Sequence, residues 1–351
     1  MNYRPTYIEV NLAALKHNIQ KLVARYSSYA HHFAVVKADC YGHGAIPCTR
    51  AALEAGCDYL CVATLDEALE LRAVFADTPI LCLGIISPKF LNICAENNII
   101  ITLSSLEYIR NLPKDLSLKA HIKINTGMNR LGLSTREEFS EAMALLDNSN
   151  IELEGIYTHI YQADDREKTE AQYAKFEEIT ADCDLSQFKF IHVGASDATE
   201  FYAKRPYANA CRLGISMYGL IDYPGVDFES TFRLVSEVVQ INEVSDGTLG
   251  YNGTYKIDGA ERIAVIPIGY ADGIIRKNGG RNVYINGKPY PIVGNICMDM
   301  LFVKVDDSVK LGDKVEVIRD IEHIKEIAKH LDTITYEVIC SINKRVPRQY
   351  I

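Results

Sequence analysis

Lys37 stands at the end of an otherwise apolar run, Phe33-Ala34-Val35-Val36-Lys37-Ala38. A lysine among apolar residues costs free energy unless it is paired, reaches solvent or is used chemically. A lone lysine most often escapes to solvent at a strand end. Its chemical use would be a Schiff base with a carbonyl cofactor. The Tyr41-Gly42-His43-Gly44 that follows favours the chemical use. Two glycines let backbone approach a ligand, and a tyrosine hydroxyl can donate to an anion.

Other apolar runs end in a similar way. Lys123 closes one run and Arg130 follows seven residues later. Further runs end in Thr158-His159, in Gly194-Ala195-Ser196 and in Arg212-Leu213-Gly214-Ile215. Barrel enzymes carry their sites at strand C-termini and often bind phosphate through the loops after the last two strands. Ser196 and the Gly214-Ile215 amides fall in those loops. Ser196 could instead cap a short helix over 197–202, whose N-terminus would itself favour an anion; for one serine taken alone, a plain cap is the commoner role. A lysine, two phosphate-suited loops and an arginine on the last strand together suggest pyridoxal phosphate.

These residues need a frame that brings strand ends together. Apolar runs at 33–38, 59–63, 80–83, 99–103, 120–124, 155–159, 190–193 and 210–213 alternate with helical patterns. Capping boxes open two of the helices, Thr64 with Glu67 and Thr135 with Glu138. Apolar spacing marks amphipathic helices at Leu12-Leu15-Ile19-Leu22-Tyr26 and at Tyr173-Phe176-Ile179. Eight such units predict an α/β fold, a (β/α)8 TIM-like barrel over 1–230; periodicity alone leaves an open doubly wound sheet possible. No Gly-x-Gly-x-x-Gly follows the first strand, which disfavours a dinucleotide site. Beyond about 230 the runs become short and β-branched, and Asn286-Gly287 marks a hairpin. Residues 231–351 therefore read as a mostly β domain with one late helix near 321–331.

The chain has 351 residues, 48% of them apolar and 24% charged, enough for a large barrel and a smaller module. Its net charge of −9 argues against nucleic acid or an anionic membrane as partner. The N-terminal segment carries no signal-peptide or membrane-span pattern. The ten cysteines form no Cys-x-x-Cys pair, so no zinc or redox motif is expected. They read as reduced core thiols of a cytoplasmic protein.

Read in order, these motifs resemble the alanine racemase family of fold-type III pyridoxal-phosphate enzymes. The resemblance runs nearly end to end. It covers Ala34-Val35-Val36-Lys37-Ala38-Asp39 with Tyr41-Gly42-His43-Gly44, Thr126-Gly127-Met128-Asn129-Arg130-Leu131-Gly132, and Arg212-Leu213-Gly214-Ile215. It continues through Tyr251-Asn252-Gly253-Thr254-Tyr255, Ile268-Gly269-Tyr270-Ala271-Asp272-Gly273, Cys297-Met298-Asp299 and Arg345-Val346-Pro347-Arg348.

The resemblance implies roles. Lys37 would hold the cofactor and act as one catalytic base; Tyr251 would be the second, supplied by the partner subunit of a homodimer. Tyr41, Ser196, Gly214 and Ile215 would hold the phosphate, Arg212 would face the pyridine nitrogen, and His159 would support the ring. Arg130 and the Met298 backbone would position the substrate carboxylate, and Tyr270 would line the approach. Lys123 matches a lysine often carbamylated in the family. The implied activity is interconversion of L- and D-alanine, supplying D-alanine for peptidoglycan. Some positions depart from the usual pattern: Asn125 where Asp is frequent, Ala195 for Asn, Asn295 for Arg, and Lys344 where many members have a tyrosine near the phosphate. A serine or broad-specificity racemase, a decarboxylase of the same fold type and a non-enzymatic cofactor carrier are the rival readings.

Overall fold

The computed structural model describes residues 3–113 and 115–351. Its first strand, β1 (Tyr7–Val10), precedes a helix over Leu12–Arg25 that Asn11 caps through Ala14 N. The barrel strands follow: β2 (His31–Val35), β3 (Tyr59–Val62), β4 (Ile80–Cys82), β5 (Ile99–Leu103), β6 (Leu118–Lys123), β7 (Ile151–Tyr157), β8 (Phe190–His192), β9 (Gly194–Ala195) and β10 (Ala210–Leu213). Neighbours pair in parallel around the ring, and β10 closes back on β2 through Leu213 and Ala34. The segment 190–195 is one stave broken at Val193: β8 pairs with β7, and β9 pairs with β10. Eight staves therefore stand where the sequence places eight apolar runs.

The runs become staves because parallel strands under a helical coat are covered on both faces, so they carry continuous apolar sequence. β3, β4, β5 and β10 are buried at every residue. Rings fill the barrel interior, with Phe33 stacked on Tyr59 at 4.1 Å and Tyr157 on His192 at 4.6 Å. The Thr64–Glu67 capping box forms in full. Thr135 accepts from Glu138 N, but the Glu138 carboxylate takes Ser134 N, one residue before the cap, and leaves the second box half-closed.

The second sheet has the order β12-β15-β18-β17-β16-β19-β11-β1-β20. Its later strands are β11 (Phe232–Glu237), β12 (Gln240–Val244), β15 (Glu261–Ile266), β16 (Asn282–Ile285), β17 (Lys288–Val293), β18 (Leu301–Val305), β19 (Lys314–Ile318) and β20 (Arg348–Tyr350); a separate pair joins β13 (Thr248–Leu249) to β14 (Tyr255–Lys256). β1 lies between β11 and β20. The chain's first strand is thus part of the second sheet, across the division at 230 drawn from the sequence. Asn286 and Gly287 both take positive φ, as a two-residue hairpin of the primed type requires. The late helix spans Ile321–Leu331, and a short helix over Thr335–Cys340, which apolar spacing does not announce, follows it. All ten cysteines are free. Among the described residues, no helix is long and apolar enough to cross a membrane and no side-chain cluster suits a metal ion.

Candidate active site

A cavity of ≈ 490 Å³ opens where the barrel strands end. Lys37, Tyr41, Lys123, Arg130, His159, Ser196, Arg212, Gly214 and Ile215 all line it. Residues far apart in sequence meet because every stave runs the same way.

Directly after Lys37 the backbone makes a left-handed turn. Ala38, Asp39, Cys40 and Tyr41 have φ of 53°, 55°, 51° and 53°. Such a conformation costs about 1–2 kcal/mol per L-residue, so the surroundings must hold it. Glu67 accepts Ala38 N at 2.7 Å, and Asp39 Oδ1 accepts Ala45 N at 2.7 Å. Buried His43 reaches the Cys40 and Tyr41 carbonyls through Nδ1, at 3.1 and 3.2 Å, and Thr231 Oγ1 through Nε2. Arg348 donates to the Gly42 carbonyl. Gly42 itself has φ of 81°, and a Cβ there would lie 2.7 Å from the Ile339 carbonyl oxygen. The turn directs both Lys37 and Tyr41 into the cavity.

A second feature is a cradle. A Cβ built on Gly214 would lie 3.3 Å from the Tyr41 hydroxyl and 3.6 Å from Ser196 Oγ. Two hydroxyl donors therefore converge on bare backbone beside the Ile215 amide, a donor set suited to phosphate. Ser196 does not cap the helix behind it. That helix spans Ser196–Phe201 with Ala195 as its N-cap, so Ser196 is its first residue. Tyr336, on the helix Thr335–Cys340, also lines the cavity, with its ring 6.0 Å from that of Tyr41. Nothing in the spacing around Tyr336 singles it out. Lys344 lies elsewhere, in a cleft with Glu67 and Arg348.

Arg212 is buried on β10, and its partners are not carboxylates. Nη1 donates to His192 Nδ1 at 2.7 Å and to the His192 carbonyl; Nη2 donates to the Thr158 carbonyl at 2.8 Å and approaches His159 Nδ1 at 3.4 Å. Arginine can only donate, so His192 Nδ1 accepts. The proton of His192 then sits on Nε2 and goes to His121 Nδ1 at 2.8 Å, and His121 Nε2 donates to the Tyr59 hydroxyl at 3.0 Å. Burial, then the Arg212 charge, push His159 well below its ordinary range, so its ring is neutral.

The cavity gathers cations. Burial lowers the Lys37 amine, Arg130 lowers it further, and Glu67 partly opposes them. Lys123, with its amine 5.1 Å over the Tyr157 ring, is pushed down to about 7 by burial and then by Arg212 and Arg130. Asp197 is the one acid in the lining among the described residues, and burial pushes its carboxyl up, towards neutrality. A locally positive pocket thus sits in a chain of net charge −9. An aromatic aldehyde phosphate fits this set: an amine of lowered basicity, a hydroxyl-lined cradle and a guanidinium without a counter-ion.

Three expected residues lie outside the cavity. Tyr251, Tyr270 and Met298 are 69%, 42% and 52% exposed on the second domain. They share one patch: Tyr270 N donates to the Cys297 carbonyl, Ala271 N to the Met298 carbonyl, and Asn295 Nδ2 to the Tyr251 carbonyl at 2.8 Å. Asn295, one of the departures, therefore holds the Tyr251 loop. Asn125, another, knits the Arg130 loop by accepting Gly127 N and Asn129 N while donating to Asn129 Oδ1 and Ser134 Oγ. An aspartate could not donate either of the last two bonds.

Comparison with known proteins agrees along the whole chain. The family model described as alanine racemase, N-terminal domain, matches residues 10–222, and that described as alanine racemase, C-terminal domain, matches residues 231–350. An alanine racemase of Listeria monocytogenes is 38% identical, over 99% of this chain and 98% of that protein. Alanine racemase 1 of Bacillus subtilis is 37% identical, over 99% and 94%. The solved alanine racemase of Bacillus anthracis with bound L-Ala-P superposes with a TM-score of 0.93 at 36% identity, covering 100% of this chain and 96% of that one.

Proposed function

This chain belongs to the alanine racemase family, and from that premise we propose that it interconverts L- and D-alanine with pyridoxal phosphate, in a cytoplasmic homodimer whose sites are shared. The observation that carries the reading is one cavity holding Lys37, the Tyr41–Ser196–Gly214 cradle and the carboxylate-free Arg212.

Lys37 would hold the cofactor covalently, with its phosphate on Tyr41, Ser196 and the Gly214-Ile215 backbone, its pyridine nitrogen at Arg212 and its ring against His159. Bound there, pyridoxal phosphate supplies an electron sink that makes the alanine Cα–H acidic. Racemisation needs a proton taken from one face and returned to the other, and one base per face does this without moving the substrate. The Lys37 amine, lowered by burial, serves one face. Tyr251 of a second copy serves the other, which suits a tyrosine exposed on its own chain. Arg212, an always-charged donor, would face the cofactor's ring nitrogen and disfavour its protonation, which would restrain transamination. Arg130 and the Met298 backbone hold the substrate carboxylate, and Tyr270 lines the approach.

Lys123 has the environment of a carbamylated lysine. A neutral amine attacks CO2, forming the N–C bond and releasing a proton to solvent, and the resulting carbamate offsets the surrounding cations. Native mass spectra of the intact protein at neutral pH should then show a mass gain of one CO2 that is lost on acidification. In the cell, the product would supply D-alanine for peptidoglycan.

The deciding experiment incubates purified protein with pyridoxal phosphate and L-alanine or L-serine in deuterated water. Appearance of the D-isomer with Cα deuterium is expected for alanine well ahead of serine. Serine ahead would replace the substrate and keep the mechanism. Exchange with neither, despite a cofactor absorbance band that Lys37→Ala removes, would refute the alanine assignment and leave another substrate or a cofactor carrier.

A further inference from the structure

Arg212 lines the cavity, yet one arm of the hydrogen bonds that hold it runs the other way, into the barrel. Nη1 donates to His192 Nδ1 at 2.7 Å, His192 Nε2 to His121 Nδ1 at 2.8 Å, and His121 Nε2 to the Tyr59 hydroxyl at 3.0 Å. His192, His121 and Tyr59 are fully buried. Tyr157 lies flat on the His192 ring, 4.6 Å away at an interplanar angle of 8°, and keeps that ring in its plane.

One end of the chain fixes every proton. A guanidinium accepts nothing, so His192 Nδ1 must be bare and its one proton must sit on Nε2. That proton needs an acceptor, and His121 Nδ1 is the atom in reach. The proton of His121 is then on Nε2 and goes to Tyr59. Burial and then Arg212 hold both rings neutral, His121 down at about 3. Burial and then Glu154 raise the Tyr59 phenol, so its hydroxyl keeps its proton. Any other placing of the two ring protons sets a donor against a donor.

The barrel makes room for this chain. Gly155 on β7 pairs with His121 on β6, and a Cβ on Gly155 would lie 2.4 Å from His121 Nδ1. Gly155 has no positive φ, so it supplies space and not backbone freedom. The Phe33 and Phe190 rings lie 6.4 and 5.8 Å from that of His121. An apolar side chain at 121 would avoid burying polar atoms among these rings, so the stability of the core alone does not call for a histidine there.

We propose that His121 is a positioning residue for the Arg212 guanidinium: by accepting from His192 Nε2 it keeps His192 Nδ1 bare, and so holds Arg212 where the cofactor's ring nitrogen would lie. The proposal rests on the function above only for what Arg212 faces. The order of protons belongs to the protein by itself.

The first test therefore needs no cofactor. Spectra of protein labelled with 15N-histidine, assigned with His192→Asn, are expected to show His192 bare at Nδ1 and protonated at Nε2. A proton on Nδ1 would overturn the proposal. The second test compares His121→Leu, which fills the space and accepts nothing, with His121→Asn, whose Oδ1 accepts close to where Nδ1 stood. With pyridoxal phosphate labelled at its ring nitrogen, His121→Leu is expected to shift the 15N signal. It should also raise pyruvate released per alanine racemised by about tenfold, the worth of one hydrogen bond to a charged group. His121→Asn is expected to restore both. An unchanged signal and ratio in His121→Leu, or equal changes in the two variants, would show that His121 only fills the core. Should His121→Leu fail to fold, His121→Met takes its place. Wild-type protein that binds no pyridoxal phosphate would refute the proposed function, and the histidine spectra would still judge the chain.

Discussion

The barrel mouth and the exposed face of the second domain carry the two halves of the expected chemistry, and they are built in opposite ways. At the mouth, side chains are buried, their basicity is moved by neighbours, and a strained turn is pinned by four side chains, those of Asp39, His43, Glu67 and Arg348. On the second domain, Tyr251, Tyr270 and Met298 stand in solvent on loops. The first region is tuned within one chain. The second presents its groups to solvent. The shared site proposed above would join the two regions, each offering a base to one face of the substrate.

The strongest way to break the comparison is at Lys37. Lys37→Ala should lower racemisation by at least roughly 10²–10⁴-fold from its acid–base role alone, and should remove the cofactor absorbance band. Activity within tenfold of wild type would place the chemistry elsewhere. Tyr251→Phe should lose racemisation while cofactor binding stays, since its face lies outside the cavity. Mixing the two inactive variants then sharpens the contrast. Each mixed dimer should regain one competent site, and no recovery despite demonstrated subunit exchange would mean that both bases come from one chain.

The contrast also sorts what the sequence makes legible. The eight staves are visible because parallel strands are covered on both faces and so carry unbroken apolar runs. Cavity residues are visible because all staves end on one rim, which turns a list of strand ends into a site. The left-handed turn at 38–41 is not visible. Ala, Cys and Tyr do not favour it, and contacts from Glu67, His43 and Arg348 impose it; Asp39, Gly42 and Gly44 are the local hints. The membership of β1 in the second sheet depends on partners more than 200 residues away, and Tyr336 reaches the cavity from a helix too short to have a period. Ser196 reads as a cap in sequence because serine usually caps; here the short helix begins one residue earlier and frees the hydroxyl for the cradle.

Lys123 offers a smaller effect with a definite pH sign. Its amine falls from an ordinary 10.5 to about 7 in the folded protein. Between those values the unfolded chain holds a proton that the folded one lacks, so stability rises with pH across that window. Below about 7 the buried amine must carry its charge and the full penalty applies. Lys123→Met should therefore melt higher than wild type at pH 6 in CO2-free buffer, with the difference shrinking as pH approaches 10. Bicarbonate should narrow the difference at neutral pH, because a carbamate removes the titrating amine. A difference independent of both pH and bicarbonate would show that Lys123 is not held as an uncompensated amine.

Asn295 tests the exposed half at its weakest point. Its amide donates to the Tyr251 carbonyl at 2.8 Å, tying the Tyr251 loop to the strand-end segment that carries Met298. A single hydrogen bond of this kind contributes about 1 kcal/mol, which bounds the consequence of Asn295→Ala at about a fivefold change in the population of the held loop. The cofactor cradle lies on the other region and is untouched, so cofactor affinity and absorbance should not move. The loss should appear in kcat, because under the proposed function the Tyr251 loop would position a base and not the bound substrate. A rise in KM with kcat unchanged would mean that the loop shapes the approach instead, and a loss of cofactor would mean that the two regions are coupled within one chain.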